Sequence, residues 1–341
     1  MRYCNAIQAL RGALACLATV LLPAMAAAQG KITVVMPGAS ETYMIPFFVA
    51  DDQGLYREAG LSTDFKTVSG NQNALRTILT GAGDVAIVGY PILYEAVING
   101  AKLKGVGGGN QALMDYYLVL AKSKGSTLKD AAGKVLAIST PGSMPQLVPE
   151  MMFKEKKIDA AGTRFVAVGS ISVRLQSVLA GKVDGTLLDS INMLRGLKSG
   201  EIVVVGSTSE TLSGPLGYTI SVVPDELLKD PARRADLYKF VKASIQGARL
   251  ATDKPELAAQ AMFKRTGGSV DMDLLRQTAN ELAKDKVWGV NGGISKSMHD
   301  YTMAAYLQYK LISRSVDFAD ALDDTLAQQA VRELGEIKGR P

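Results

Sequence analysis

The chain has 341 residues, 47% of them hydrophobic, with 38 lysine and arginine residues against 33 aspartate and glutamate residues. The net charge of +5 is spread along the sequence, which argues against the clustered basic face of a nucleic-acid-binding protein. His299 is the only histidine, and the two cysteines lie at positions 4 and 16. This composition disfavours a zinc site, a thiolate metal centre and a serine–histidine–aspartate triad. It indicates a globular protein that needs no metal or cofactor.

The first 28 residues have the pattern of a secretory signal peptide. A basic start precedes a short apolar run over 12–22, and an Ala-x-Ala sequence at 26–28 offers a cleavage site. The apolar run is too short for a membrane anchor. We therefore expect export to the periplasm through a cleaved signal, which leaves a mature chain without cysteine. Lipidation at Cys16 is the alternative.

After the signal, short strands and helices alternate along the chain. Apolar, β-branched runs predict strands, and the runs between them predict helices. The predicted strands are 31–36, 62–68, 84–89 and 102–107, and the predicted helices are 44–50, 74–80 and 91–99. This alternation with short polar turns is typical of a parallel sheet flanked by helices.

The same pattern then repeats. The second set has predicted strands at 116–120, 134–139, 164–168, 184–188 and 201–205, with helices at 145–157, 172–180 and 190–198. A strand at 218–223 follows a loop rich in glycine and proline. Beyond it the chain is predicted to be almost purely helical, over 231–251, 255–265, 271–285, 295–313 and 321–338.

Two α/β lobes, the second inserted into the first, account for this order of elements. Residues 29–117 together with 218–341 would form one lobe, and residues 118–217 would form the other. Tyr116–Leu120 and Gly217–Ser221 would be the two crossover strands. Because two crossovers make a hinge, a cleft is expected between the lobes.

Four ordered segments carry a resemblance to a known class of proteins. They are Pro46–Leu61, which contains Gly54-Leu55-Tyr56 and Gly60-Leu61, then Gly81–Ala86, Leu128–Lys134 and Leu179–Gly185. The chain resembles the periplasmic solute-binding proteins of ABC importers that serve sulfonates, taurine, nitrate and thiamine-pyrimidine precursors. The resemblance implies a two-lobed type II periplasmic-binding-protein fold, with mostly parallel sheets and a helical C-terminal tail. It also implies a monomer that closes on a small molecule and delivers it to an inner-membrane permease.

Candidate ligand contacts lie in the loops that follow the predicted strands, because open α/β sheets bind ligands outside the carboxyl ends of their strands. They are Ser40, Glu41, Thr42, Gly70, Asn71, Gly89 and Tyr90 in the first lobe, Thr140, Gly142, Ser143, Ser170, Arg174 and Asp189 in the second, and Tyr218 near the hinge.

The chemistry of these loops favours an oxyanion. The sequence Thr140 to Ser143 opens directly into a helix, whose N-terminus presents N–H groups and a partial positive charge. The alternative is that Ser143 only caps that helix. Arg174 lies one turn into the next helix and could pair with a carboxylate or sulfonate through its planar fork. The alternative is a solvated surface arginine.

Other side chains point to different features of the ligand. Each of five tyrosines near the expected cleft and hinge is, taken alone, more typical of core or hinge packing, but together they favour a ring-bearing or apolar part of the ligand: Tyr43, Tyr90, Tyr116, Tyr117 and Tyr218. Glu41 and Asp189 would instead favour an amine or aminopyrimidine donor, unless Asp189 caps helix 190–198.

The expected function is capture of a small organic anion, a sulfonate or carboxylate, by a non-enzymatic extracytoplasmic binding protein. A nitrogen heterocycle such as a thiamine pyrimidine precursor is the alternative ligand. A sensor that hands ligand to a receptor is an alternative role. An enzyme on the same scaffold is disfavoured, because the related thiamine-pyrimidine synthases look to depend on a cysteine-rich motif and an active-site histidine.

Overall fold

The computed structural model describes residues 29–38, 42–68, 70–108, 116–211 and 216–338. The predicted signal peptide at 1–28 lies outside the described residues, and so do the candidate residues Ser40 and Glu41. Among the residues that the structure describes, no helix is both long and apolar enough to cross a membrane.

The described strands follow the predicted ones closely. They are β1 (Gly30–Met36), β2 (Leu61–Thr67), β3 (Val85–Gly89), β4 (Leu103–Gly105), β5 (Tyr117–Ala121), β6 (Val135–Ile138), β7 (Arg164–Ala167), β8 (Gly185–Leu188), β9 (Ile202–Ser207) and β10 (Thr219–Pro224).

The helices between and after these strands pack on the sheets. They are α1 (Ile45–Asp52), α2 (Leu55–Glu58), α3 (Asn71–Leu79), α4 (Tyr90–Ile98), α5 (Met144–Glu155), α6 (Ile171–Leu179), α7 (Ser190–Ser199), α8 (Thr208–Thr211), α9 (Asp225–Lys229), α10 (Pro231–Asp253), α11 (Pro255–Arg265), α12 (Met272–Lys284), α13 (Lys296–Gln308), α14 (Phe318–Ala321) and α15 (Thr325–Leu334).

Two five-stranded sheets form the framework, with strand orders β2-β1-β3-β10-β4 and β7-β6-β8-β5-β9. In the first sheet β1 pairs parallel with β2 and β3, whereas β10 runs antiparallel to β3 and β4. In the second, β6 pairs parallel with β7 and β8, whereas β5 runs antiparallel to β8 and β9. Since β4 runs in the same direction as β3, and β9 in the same direction as β8, four of the five strands of each sheet point the same way. The predicted α/β fold with mostly parallel sheets is therefore confirmed. The lobe boundaries proposed from the sequence stay a prediction.

In each sheet, the antiparallel strand is the first one that the chain forms after it arrives from the other sheet. The chain passes from β4 of the first sheet into β5 of the second, and from β9 of the second into β10 of the first. Central strands such as β3 and β10 are buried along their whole length, as expected where helices cover both faces of a sheet. The edge strand β7 is largely exposed.

The aspartates of two resemblance motifs have structural roles. Asp84 accepts a hydrogen bond from the backbone N–H of Thr33 at 2.7 Å and pairs with Arg233 at 2.7 Å. Asp184 accepts from the backbone N–H of Val135 at 2.9 Å. Each carboxylate therefore ties the start of one strand to its parallel neighbour.

Two of the predicted C-terminal helices are shorter than expected. The helix predicted at 295–313 ends at Gln308, because Lys310 has a φ of 56° that a helix cannot continue through. The helix predicted at 321–338 is reduced to α15, which begins at Thr325 and ends at Leu334, and the short helix α14 ends at Ala321. Leu322 adopts extended geometry there and forms a parallel bridge with Gly105, and this pairing competes with helix formation.

Close packing of α1 against α10 depends on Gly247. A Cβ atom at this position would lie 2.2 Å from the carbonyl oxygen of Pro46 and 2.8 Å from the Cβ of Ala50. The first distance involves backbone, which cannot move without shifting α1. The contact therefore sets how closely the two helices approach each other.

His299 is buried on α13 and is only 3% exposed. Its Nδ1 lies 2.8 Å from the Tyr94 hydroxyl and its Nε2 lies 3.1 Å from the carbonyl oxygen of Val316. Burial lowers the pKa of the imidazole below its ordinary value, although the nearby Asp300 carboxylate opposes that shift. The folded protein therefore favours neutral His299, in keeping with a packing role.

Substituting Gly247 with alanine should lower the free energy of unfolding by about 1–3 kcal/mol, because overpacking forces the helices apart. Helix propensity alone predicts the opposite sign, a gain of about 1 kcal/mol. Urea denaturation of wild type, Gly247→Ala and the same-helix control Gln246→Ala distinguishes the two. A higher unfolding midpoint for Gly247→Ala would contradict the packing argument.

Acidification should destabilise the fold through His299. Its folded pKa lies below its unfolded pKa of about 6.5, so the unfolded state binds a proton first as the pH falls. The stabilisation is complete above about pH 6.5 and is lost as the pH drops through the lower, folded pKa. Between pH 7.5 and 5.5, the free energy of unfolding should fall less for His299→Gln than for wild type, as measured by denaturation at each pH. Equal losses would rule out this contribution.

Candidate functional site

A cavity of about 340 Å³ lies where loops from the two sheets meet. Segments that follow β1, β2 and β3 form one side, and segments that follow β6 and β7 form the other. Its lining residues are Pro37, Gly38, Tyr43, Gly70, Asn71, Gln72, Asn73, Gly89, Pro91, Ile92, Tyr116, Ser139, Thr140, Gly142, Ser143, Met144, Pro145, Gly169, Ser170, Ile171, Arg174, Tyr218 and Thr219.

Most of the candidate residues lie in the wall of this cavity. They are Gly70, Asn71, Gly89, Thr140, Gly142, Ser143, Ser170, Arg174 and Tyr218. The rule that ligands bind outside the carboxyl ends of strands, here called the strand-end rule, thus identified residues of one cavity wall that are as much as 148 positions apart in the sequence, from Gly70 to Tyr218. Their contact with a ligand stays a prediction.

Thr42, Tyr90 and Asp189 do not line the cavity. Thr42 is 1% exposed in a short 3-10 turn before α1. Tyr90 is fully buried, and its ring packs against Tyr94 and beside Gly217. Its backbone lies at the end of β3, as expected, but its side chain enters the core.

Asp189 caps α7 and does not face the cavity. Its Oδ1 accepts hydrogen bonds from the backbone N–H of Asn192 at 2.9 Å and from the Asn192 side chain at 2.8 Å. Burial raises the pKa of this carboxyl, whereas the Asn192 hydrogen bonds and the charges of Arg174 and Arg195 act in the opposite direction. The capping alternative is therefore correct for Asp189.

Helices α3, α4, α5 and α6 begin at the cavity, and within the described residues none is capped by the side chain of its N-cap residue. Gly70 and Gly89 have no side chain to offer. Ser143 has one, but its hydroxyl donates to the carbonyl oxygen of Thr140 at 2.5 Å, so the capping alternative for Ser143 is wrong. The partial positive charge of these helix starts is therefore directed at the cavity.

Arg174 is fixed in the cavity wall. The residue is 5% exposed, so the alternative of a solvated surface arginine is wrong. Its Nη1 donates to the carbonyl oxygen of Gly169 at 3.1 Å, and its Nη2 donates to that of Leu187 at 3.2 Å. Its Nε lies 3.2 Å from the Thr186 hydroxyl. These contacts hold the guanidinium plane in one orientation.

Arg174 also determines the charge of the wall. Among the lining residues that the structure describes, it is the only one with a charged side chain. The remainder are glycines, hydroxyl and amide side chains, and apolar residues. The described part of the wall therefore carries a single formal charge, which is positive.

Three tyrosines form a continuous part of the wall. The rings of Tyr43 and Tyr218 meet edge-on with centroids 5.5 Å apart, and those of Tyr116 and Tyr218 are 5.2 Å apart. The Tyr116 hydroxyl donates to the Tyr218 hydroxyl. Since Tyr116 precedes β5 and Tyr218 precedes β10, this hydrogen bond joins the two segments by which the chain crosses between sheets.

Sequence reasoning missed several lining residues. Pro91, Ile92, Pro145 and Ile171 each lie in the first turn of a helix whose preceding residue was a candidate. Their residue types gave no signal, because apolar residues at helix starts usually belong to the core. The available signal was their position, directly after the glycine or serine that precedes each helix.

Comparisons with known proteins support this description. Residues 41–258, well over half of the chain, match the model of the family described as NMT1/THI5 like. A curated relative, "Putative binding protein YtlA" of Bacillus subtilis (strain 168), is 26% identical over 157 residues. The match covers 44% of this chain and 47% of YtlA, so it spans about half the length of that relative.

Solved structures show the same fold at low identity. The periplasmic nitrate-binding protein NrtA of Synechocystis PCC 6803 has a TM-score of 0.74 at 11% identity, covering 89% of each chain. The alkanesulfonate-binding protein SsuA of Xanthomonas axonopodis pv. citri, solved with MOPS, has a TM-score of 0.69 at 14% identity. That match covers 87% of this chain and 99% of SsuA. The chain thus belongs to the NMT1/THI5-like family and has the fold of the periplasmic binding proteins.

Proposed function

We propose that this chain is the extracytoplasmic substrate-binding component of an ABC-type importer and that it captures a small organic anion. The single observation that carries the proposal is the shared cavity, whose wall combines the carboxyl ends of both sheets with one charged side chain, Arg174, among the described residues. A ligand there would touch both halves of the molecule at once.

Capture would work by closure about the two crossing segments. The halves would be the lobes expected from the sequence, residues 29–117 with 218–341 and residues 118–217. A ligand that bridges them interacts more strongly with the closed arrangement and shifts the population towards it. An inner-membrane permease would then recognise the closed protein. The signal-like residues 1–28 support export to the periplasm, and the names of NrtA and SsuA support a role in solute binding.

The preference for an anion rests on two independent features of the wall. Arg174 places a guanidinium in the wall, and although Nε, Nη1 and Nη2 each donate to the protein, its charge and planar fork suit a carboxylate or sulfonate. The starts of α3, α4, α5 and α6 add partial positive charge from four directions. Asp189, which would have favoured an amine, is occupied in capping α7.

A binding role is favoured over catalysis by the state of the side chains that could act as base or nucleophile. Both ring nitrogens of His299 have partners, the Tyr94 hydroxyl and the Val316 carbonyl oxygen, in the core. The hydroxyl of Ser143 donates to a backbone carbonyl oxygen and has no base beside it among the described contacts. A nucleophilic mechanism needs a nucleophile and a base within hydrogen-bond reach, and general acid–base catalysis needs a titratable group that reaches the substrate.

A thermal-shift screen of the exported protein against sulfonates, carboxylates and pyrimidines tests the proposal. A ligand at 100 times its Kd should raise the free energy of unfolding by about 2.7 kcal/mol. We expect stabilisation by at least one organic sulfonate or carboxylate. Stabilisation by aminopyrimidines alone would establish the heterocycle alternative, and turnover of any compound in the panel would overturn the binding role.

Substituting Arg174 with methionine should weaken binding of the anion found in that screen by about tenfold or more, since a charged hydrogen bond contributes about 1.5–3 kcal/mol. The affinity of Arg174→Lys should lie between those of wild type and Arg174→Met, because lysine keeps the charge but loses the planar fork of N–H donors. Calorimetric titration gives the affinities, and ligand-free melting curves show that each variant is folded.

The matched control is Arg195→Met on α7, which removes an exposed arginine outside the cavity wall. Its affinity should equal that of wild type. An unchanged affinity for Arg174→Met, or an equal loss in both variants, would remove Arg174 from the site.

A further inference from the structure

We infer that Asn71 is a specificity-determining residue of the cavity, because it presents the NH2 end of its carboxamide to the ligand and so selects for a hydrogen-bond acceptor. The inference rests on the proposed function and names a residue that discriminates among its ligands. It is carried by the hydrogen bond that fixes the orientation of this carboxamide.

Asn71 lies where the first sheet meets the cavity. It is the first residue of α3, the helix that follows β2, and it lines the cavity together with Gly89, the last residue of β3. Its Oδ1 accepts a hydrogen bond from the backbone N–H of Gly89 at 3.1 Å. This bond ties the start of α3 to the start of α4.

The partner of Asn71 decides which end of the carboxamide faces it. A backbone N–H can only donate, so the atom opposite the N–H of Gly89 must be the oxygen of the amide. Turning the amide over would set its NH2 group against that N–H, donor against donor. Gly89 is buried, and a buried N–H without an acceptor is unfavourable. The carboxamide is therefore held in one of its two orientations.

This orientation leaves the NH2 group of Asn71 for a ligand. Its Nδ2 has no hydrogen-bond partner among the residues that the structure describes. The side chain is half-buried in the cavity wall. Because the oxygen is turned towards Gly89, the side chain offers two N–H donors on its other side.

Other polar side chains of the wall discriminate less between acceptors and donors. The hydroxyl of Ser143 donates to the carbonyl oxygen of Thr140, and Nε, Nη1 and Nη2 of Arg174 each donate to the protein. A hydroxyl such as that of Ser170 can donate or accept by rotating its hydrogen. Asn71 combines a fixed orientation with an unused donor. A ligand that leaves such a polar group unpaired is rejected strongly.

Asn71→Asp tests the inference by reversing the group that faces the ligand. A carboxylate accepts from the N–H of Gly89 as the amide oxygen does, but its second oxygen is an acceptor where Asn71 has its NH2 group. The probes are methanesulfonate, benzenesulfonate and benzoate, each compared with its uncharged amide by calorimetric titration. Wild type should bind at least one of these anions more tightly than the corresponding amide.

In Asn71→Asp, that anion should bind at least about tenfold more weakly, which corresponds to the loss of one charged hydrogen bond. Its amide should bind no more weakly than it does to wild type, because the amide nitrogen can donate to the new carboxylate. A purely structural role for Asn71 would instead weaken both compounds alike.

The matched control is Gln72→Glu, which makes the same change of charge at the next residue of α3. Gln72 also lines the cavity, but it is exposed. Its loss of anion affinity should stay below about threefold, because exposed charges interact weakly in water. Equal losses in the two variants would show a general effect of charge and would overturn the role of the Asn71 donors.

Melting curves without ligand test the orientation of the carboxamide separately. Asn71→Asp keeps an acceptor for Gly89 and places negative charge at the start of α3, which is favourable. It should therefore melt at or above the temperature of wild type. Asn71→Leu leaves the buried N–H of Gly89 unpaired and should melt at a lower temperature. Equal melting temperatures for the two variants, or a lower one for Asn71→Asp, would overturn the fixed orientation.

The outcomes separate this inference from the proposed function. Anion affinity that Asn71→Asp leaves unchanged would overturn the inference while the proposed function stands. Tighter binding of the amides than of the anions by wild type, or binding of none of the three anions, would overturn both the selection for an acceptor and the preference for an anion.

Discussion

Both sheets of this protein present the carboxyl ends of their parallel strands to one cavity, and the rest of the site depends on that constraint. The chain achieves it by crossing twice, through β5 and β10, each of which runs antiparallel in the sheet that it enters. Helices α3, α4, α5 and α6, which follow β2, β3, β6 and β7, begin at the cavity, so their partial positive charges converge there. This convergence comes from the topology and the helix dipoles, before any side chain is considered.

Arg174 adds a formal positive charge to the partial charges of these helix starts. A buried guanidinium is costly unless its donors are paired, and here the carbonyl oxygens of Gly169 and Leu187 serve as partners. These acceptors, with the Thr186 hydroxyl, hold the guanidinium in the wall of the cavity.

Much of the fold could be predicted from the sequence, because short β-branched runs and intervening helices have different periods. The C-terminal region was harder. Nothing in its local pattern shows that Lys310 adopts positive φ or that Leu322 pairs with Gly105, since both depend on what the segment packs against. Tertiary pairing there overrides helix propensity, which is a weak preference of each residue.

The site could be predicted from the sequence to about the same extent as the fold. The strand-end rule located the backbone of the cavity, and Gly70, Gly89, Ser143 and Ser170 follow from it. The rule does not give the direction of a side chain, so Tyr90 was expected in a cavity that its ring turns away from. The burial of Arg174 and the joining of Tyr116 to Tyr218 needed the three-dimensional structure.

The bridge between Leu322 and Gly105 has a consequence for how copies of this protein behave towards one another. β4 is an edge strand, and an exposed edge offers N–H and C=O groups to which another chain can add. Here Leu322 lies along that edge, and the N–H of Asp323 donates to the carbonyl oxygen of Gly105 at 2.9 Å. The C-terminal segment thus shields this edge of the sheet from intermolecular strand addition, and with it from aggregation through β4.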